Sequence, residues 1–175
     1  MPASDPTRVV VADANVLINL IHAGRLDLLG ALTAFEFVVP DHVVAEITVP
    51  AQRQALEIAL TRGALSTQSI TDPRELATYA ELRCIMGSGE AACLAMAEAR
   101  GWLIASDEKR RFRREVIARL GEGRLVTTAG LFVMAIRVDV ISVEDADQAK
   151  ELLRRHRFRM TFRSFRDLLE PPKTR

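Results

Sequence analysis

Two cysteines, one tryptophan and one tyrosine in 175 residues are the scarcest side chains of this sequence. Cys84 and Cys93 stand in helix-like text without metal-type spacing, which excludes a disulfide scaffold and a zinc cluster and suits a reducing compartment. Seven prolines and nine glycines are too few for a collagen-like or low-complexity chain. No apolar run approaches the ~18–20 residues of a membrane helix. The opening Met1-Pro2-Ala3-Ser4-Asp5 lacks the basic and apolar parts of a signal peptide. A cytoplasmic protein with no membrane partner is expected. Net charge is scarce too: 24 Lys plus Arg against 23 Asp plus Glu leave +1, which announces no polyanion partner by itself.

What is present is ordinary globular text, 49% hydrophobic and 27% charged. One domain is expected, since domains run ~100–200 residues. The charge is unevenly placed. Residues 150–175 carry nine basic and three acidic side chains, so an acidic body ends in a basic segment. We expect flexible tails at 1–7 and 171–175 and a single domain over 8–170, with 142–170 as its basic helical segment.

Strand and helix signals alternate. Arg8-Val9-Val10-Val11-Ala12 suits a strand buried on both faces, as in a parallel sheet. Glu36–Val39, Leu103–Ala105, Leu125-Val126 and Val140-Ile141 read as further strands. Helices are expected from Val16 to Ile21, after Pro40, over 51–62 and 72–84, from Ser88 to Ala99, from Asp107 to about Leu120, and from Thr128 to Arg137. Ser142-x-x-Asp145 caps a last long one. The alternation argues an α/β sandwich around a mainly parallel sheet.

The carboxylates fall where such a sheet binds ligands. Asp13 follows the first strand and Asp107 the Leu103 strand, while Glu46 and Glu90 lie in adjacent helices. Residues just past strand ends gather along the carboxyl edge. Acids meeting there repel one another unless a cation lies between them. Oxygen-only ligands point to Mg²⁺ or Mn²⁺ rather than zinc. Each acid also has a plainer reading: Asp13 and Asp107 as helix caps, Glu90 as a partner of the helix dipole, Glu46 as an exposed helix acid. Joint placement favours the site.

At these residues the chain resembles the PIN domain, a family of Mg²⁺-dependent nucleases that includes VapC-type toxins. The resemblance runs through Val9–Ile18, ending its strand in Asp13, and Val39–Ile47, where Pro40 opens the helix bearing Glu46. It continues through Gly87–Ala95 around Glu90, Leu103–Arg110 around Asp107, and Val126–Phe132. Glu90 stands where many relatives have Asp, Asp107-Glu108 where they often have two Asp, and Thr127 where Gly is frequent. The resemblance implies a three-layer α/β/α sandwich and a metal-dependent endoribonuclease leaving a 5′-phosphate and a 3′-hydroxyl. It further implies the toxin of a type II toxin–antitoxin pair, with RNA as substrate, a cognate antitoxin as partner, and a homodimer.

On this reading Asp13, Glu90 and Asp107 hold the metal, and Glu46 is a ligand or orients the attacking water. Asn15, Ser106, Glu108 and Thr128 support them, with caps and turns as the plainer roles for Asn15, Ser106 and Thr128. Lys109, Arg110, Arg113 and Arg114 flank the metal edge as RNA contacts, or form a solvated helix face. The C-terminal arginines alternate with Phe158, Phe162 and Phe165, a combination that suits single-stranded RNA or, equally, an acidic partner, with core packing as the first role of the rings. His22, His42 and His156 are scattered and suggest no acid–base pair acting through a 2′-hydroxyl. Two other readings stay open. One is a catalytically idle PIN-fold module that binds RNA or protein. The other is a phosphoryl-transfer domain with Asp13 as nucleophile, which wants an acid where Asn15 stands.

Overall fold

A computed structural model describes residues 8–169, so the tails expected at 1–7 and 171–175 lie outside the described residues. The chain runs β1 (Arg8–Ala12), α1 (Ala14–His22), α2 (Leu28–Ala31), β2 (Phe35–Pro40), α3 (Asp41–Glu46), α4 (Pro50–Thr61), β3 (Ser66–Gln68) and α5 (Pro73–Leu82). It continues through α6 (Ser88–Arg100), β4 (Leu103–Ala105), α7 (Arg111–Leu120), β5 (Leu125–Val126), α8 (Thr128–Arg137), α9 (Val143–Arg155) and α10 (Arg166–Leu169). The five strands form one wholly parallel sheet in the order β3-β2-β1-β4-β5. Helices flank it in a three-layer α/β/α sandwich, as expected.

Register follows burial. Val10, Val11 and Ala12 of the central strand are at most 1% exposed, which only a sheet covered on both faces allows. Val10 pairs with Phe37 on one side and Leu103 on the other. α6 packs across β1, β2 and β4, with α3, α5 and α7 against it. Its run Ala91–Ala97 is wholly buried, because small side chains let the helix approach the sheet closely. α1, α8 and α9 pack on one another, and Phe165 is sealed between Phe132 and Phe162 at centroid distances of 5.5 and 4.9 Å.

Strand order reverses at β1: β2 and β3 extend to one side, β4 and β5 to the other. The carboxyl ends of β1 and β4 therefore border the crevice where open parallel sheets take ligands. Ala12 pairs with Ala105, and the next residues of the two segments are Asp13 and Ser106-Asp107.

Several expectations need correction. Val140-Ile141 is no strand. Asp139 adopts φ +56° and Val140 N–H donates to Ala135 O, so the segment closes α8 as a turn. The helix expected from Asp107 begins at Arg111, because the backbone and side chain of Asp107 bond elsewhere. The segment 142–170 is helical only to Arg155, then irregular until the single turn of α10. β3, a polar three-residue edge strand, carries no apolar signal, as protected edges often do not.

Candidate active site

Asp13 lies just past β1 and caps α1, its Oδ1 accepting from Ala14 N–H at 2.8 Å. Its Oδ2 accepts from Asn15 Nδ2 at 2.8 Å and Ser106 Oγ at 2.9 Å. The residue is 3% exposed. Burial pushes its carboxyl up to about 6, against the pull of the Ser106 and Ala14 hydrogen bonds and with a further push from Glu90 and Glu46. An anion here lacks water and has like charges for neighbours.

Asp107 lies just past β4. Its backbone N–H donates to Asn15 Oδ1 at 3.0 Å, so Asn15 ties the first and fourth acids together. Asp107 Oδ1 accepts from Thr128 N–H at 2.9 Å, and its Oδ2 from the Thr128 hydroxyl and from Asn19 Nδ2 at 2.9 Å. It thus holds the first turn of α8 instead of capping its own helix. Ser106, fully buried, donates to Asp13 and accepts from Glu108 N–H at 3.2 Å. Glu108 itself is exposed.

Glu46 and Glu90 meet at the other wall, the first turn of α6. Glu46 is the last residue of α3, and its Oε1 accepts from Gly89 N–H at 2.7 Å. A Cβ on Gly89 would lie 2.6 Å from Glu46 Oε2, so only glycine admits this approach. Glu90 Oε2 accepts from Gly87 N–H at 3.1 Å, closing the same turn. The positive end of a helix dipole steadies both acids. Beneath them the fully buried Cys93 thiol is pushed well up, first by burial and then by Asp13, Glu46 and Glu90.

Asn15, Ser106 and Thr128 thus hydrogen-bond the two aspartates, and Asn19, not named from the sequence, joins them. Asn19 is 8% exposed in an otherwise apolar helix face, one turn after Asn15; that four-residue polar spacing was the available signal. Lys109, Arg110, Arg113 and Arg114 are all exposed around the start of α7. Lys109 and Arg113 line a cleft with Asp107 and Glu108, and Arg110 and Arg114 do not.

Comparison with known proteins settles the family. The model of the PIN domain matches residues 9–171. The chain belongs to the PIN domain family. Among solved structures, a chain of the VapBC2 complex from Rickettsia felis, bound to a DNA fragment from their promoter, shares this fold. The likeness covers 68% of the present PIN domain chain and 98% of that one, at 19% identity and a TM-score of 0.50. No curated protein matches.

The PIN site's donors are hard oxygens, which suit Mg²⁺ or Mn²⁺. Among the described residues, however, no group of three or more Asp, Glu, His or Cys is gathered closely enough to hold a metal ion by itself.

Proposed function

We propose that this PIN domain is a metal-dependent endoribonuclease and the toxin of a type II toxin–antitoxin pair. The observation that carries the reading is Asp13: a buried carboxylate with no cationic partner among the described residues, at the sheet's switch point, beside two further acids and tied to a fourth. A fold keeps such a group when a positive ligand completes it. Family membership supports nuclease chemistry, and the VapBC2 likeness supports the fold from which the toxin assignment and an antitoxin partner are inferred.

In this mechanism Asp13, Glu90 and Asp107 would hold Mg²⁺ or Mn²⁺, directly or through water. An ion held there would supply positive charge to offset the phosphodiester and to make a nearby water more acidic. Asn15 and Ser106 aim Asp13; Thr128 and Asn19 aim Asp107. Glu46, steadied by Gly89 N–H, orients the attacking water. Lys109 and Arg113 attract the RNA backbone to the edge.

The test is cleavage of RNA by the purified chain with and without Mg²⁺ or Mn²⁺, followed by sequencing of the ends. Ion-dependent cuts with 5′-phosphates, lost in Asp13→Asn and Asp107→Asn, support the proposal; undiminished cleavage by both variants removes it. One observation favours a second reading, an idle binding module: both Asp107 oxygens already accept hydrogen bonds. Calorimetric titration with Mn²⁺ separates the two, since an idle module takes up no ion.

A further inference from the structure

We propose that the cleft beside Asp107 is a nucleotide subsite, holding one unpaired RNA base against the loop after α9 and its phosphate on Lys109, Arg113 and Arg159. The assignment rests on the nuclease reading for the identity of the strand that reaches this edge.

The cleft has a volume of about 390 Å³. That lies within the ~300–1,000 Å³ of small-molecule sites, room for a nucleotide and too little for a duplex. One wall is the segment after β4, with Asp107, Lys109 and Arg113. The other is the C-terminal loop, with Phe158, Arg159 and Phe162. The subsite is thus continuous with the acid network through Asp107 itself.

The loop is built to hold still. After α9 the chain reverses at Arg157, which adopts φ +65°, and Phe158 N–H donates to Leu153 O at 3.0 Å. At the far end Ser164 Oγ donates to Asp147 Oδ2 at 2.6 Å, and Phe165 N–H to Asp147 Oδ1 at 2.9 Å. The phenylalanines divide their roles. Phe165 is 0% exposed and seals the core, whereas Phe158 and Phe162 pack against that core with one side and, half-buried, line the cleft with the rest; Lys150 Nζ also lies 5.9 Å from the Phe162 ring centroid.

Charge and shape together select the occupant. Three cations face Asp107 and Glu108, and the Asp107 oxygens already accept hydrogen bonds from Thr128 and Asn19. A segment of acidic side chains alone, such as polyglutamate, would use the cations and leave the rings idle. A single-stranded nucleotide uses both, because its base stacks on an aromatic side chain while its phosphate meets Lys or Arg. An RNA duplex stacks its bases on one another, which leaves none free for the rings.

The test is binding of a fluorescein-labelled RNA hexamer to the full chain in EDTA, read by fluorescence anisotropy. Phe158→Ala is expected to weaken binding by about tenfold. Removing the base at one position of the hexamer should weaken wild-type binding equally and leave Phe158→Ala unaffected. Arg159→Ala should weaken binding and lower the salt slope by about 0.7, the value per phosphate contact on single strands. Thermal melting verifies that each variant is folded. Phe158→Leu, which keeps the packing and loses the stacking, replaces Phe158→Ala if the latter unfolds.

Base removal without effect at every position overturns the subsite, as does polyglutamate competing as well as RNA of equal charge. The latter result would mark a site for an acidic protein segment. Mg²⁺-dependent cleavage with no base effect leaves the nuclease and removes the subsite. Base-dependent binding without cleavage under either ion does the reverse.

Discussion

Asp13 and Glu75 are almost equally hidden, 3% and 1% exposed, yet they stand at opposite ends of α6 in opposite electrostatic company. Glu75 receives two hydrogen bonds from Arg100, the last residue of α6, whose guanidinium also lies 4.7 Å from the centroid of the Trp102 ring. Those bonds hold the Glu75 carboxyl below its ordinary value despite burial. Asp13, near the other end, has Glu46 and Glu90 for neighbours and is pushed up to about 6. One buried acid is neutralised by the fold and serves packing. The other is left in want of a positive charge, and that want is the property a metal-dependent site needs.

The contrast can be broken most sharply in activity. Asp13→Asn should lower RNA cleavage by on the order of a thousandfold or more. Arg100→Met, which orphans Glu75, should leave the rate of the folded enzyme within about twofold, because the pair touches no acid of the site. Gel-based rates on the two variants check this, and equal losses would erase the distinction between the two ends.

Stability should show the reverse pattern. Arg100→Met is expected to cost about 3 kcal/mol in urea unfolding, the low end for orphaning a buried ion-pair partner, because Arg100 is partly solvated. Asp13→Asn should cost little at pH 7, since it removes an anion that burial already penalises.

The raised Asp13 value also sets a pH dependence. A carboxyl whose folded pKa exceeds its unfolded value binds its proton more tightly in the native state. Its contribution is complete below pH 3.8 and is lost as pH rises through about 6. For metal-free protein in EDTA, wild type should lose up to about 3 kcal/mol relative to Asp13→Asn between pH 4 and pH 7. Urea titrations of both proteins across that range measure it. A constant difference would mean that Asp13 is not destabilised by its surroundings.

Gly89→Ala gives the smallest effect. The new methyl meets the mobile end of Glu46, and Ala is the better helix former by about 1 kcal/mol, so stability should stay within that margin. Cleavage should nonetheless fall by roughly tenfold, about 1.4 kcal/mol in barrier height, because Glu46 is displaced from Gly89 N–H. An unchanged rate would remove Glu46 from the mechanism.

Much of the fold was legible in the sequence because the central elements carry one-sided signals. A β-branched run such as Arg8–Ala12 suits little else than a covered strand, and the alanines of Ser88–Arg100 suit only a buried helix. β3 was not legible, since an edge strand of Ser, Thr and Gln looks like a loop. In the site, the acids and Asn15, Ser106 and Thr128 could be named from their positions after strands or in helix first turns. Glu75 passed unnoticed because an acid in the first turn of a helix after Pro73 ordinarily faces water. Arg100, 25 residues later, is the chief group that makes its burial tolerable, with help from the Thr71 and Asp72 backbone.

The sequence by itself determined which segments become strands and helices, and hence that Asp13 and Asp107 would emerge along the same sheet edge, because periodicity and apolar content act locally. Tertiary structure alone decided which carboxylate meets a cation and which meets other anions. It also turned Asp107 toward α8 and folded the arginine- and phenylalanine-bearing loop against the site. Those outcomes depend on distances between residues far apart in the chain, where charge, burial and hydrogen bonding act through space and leave no mark on local pattern.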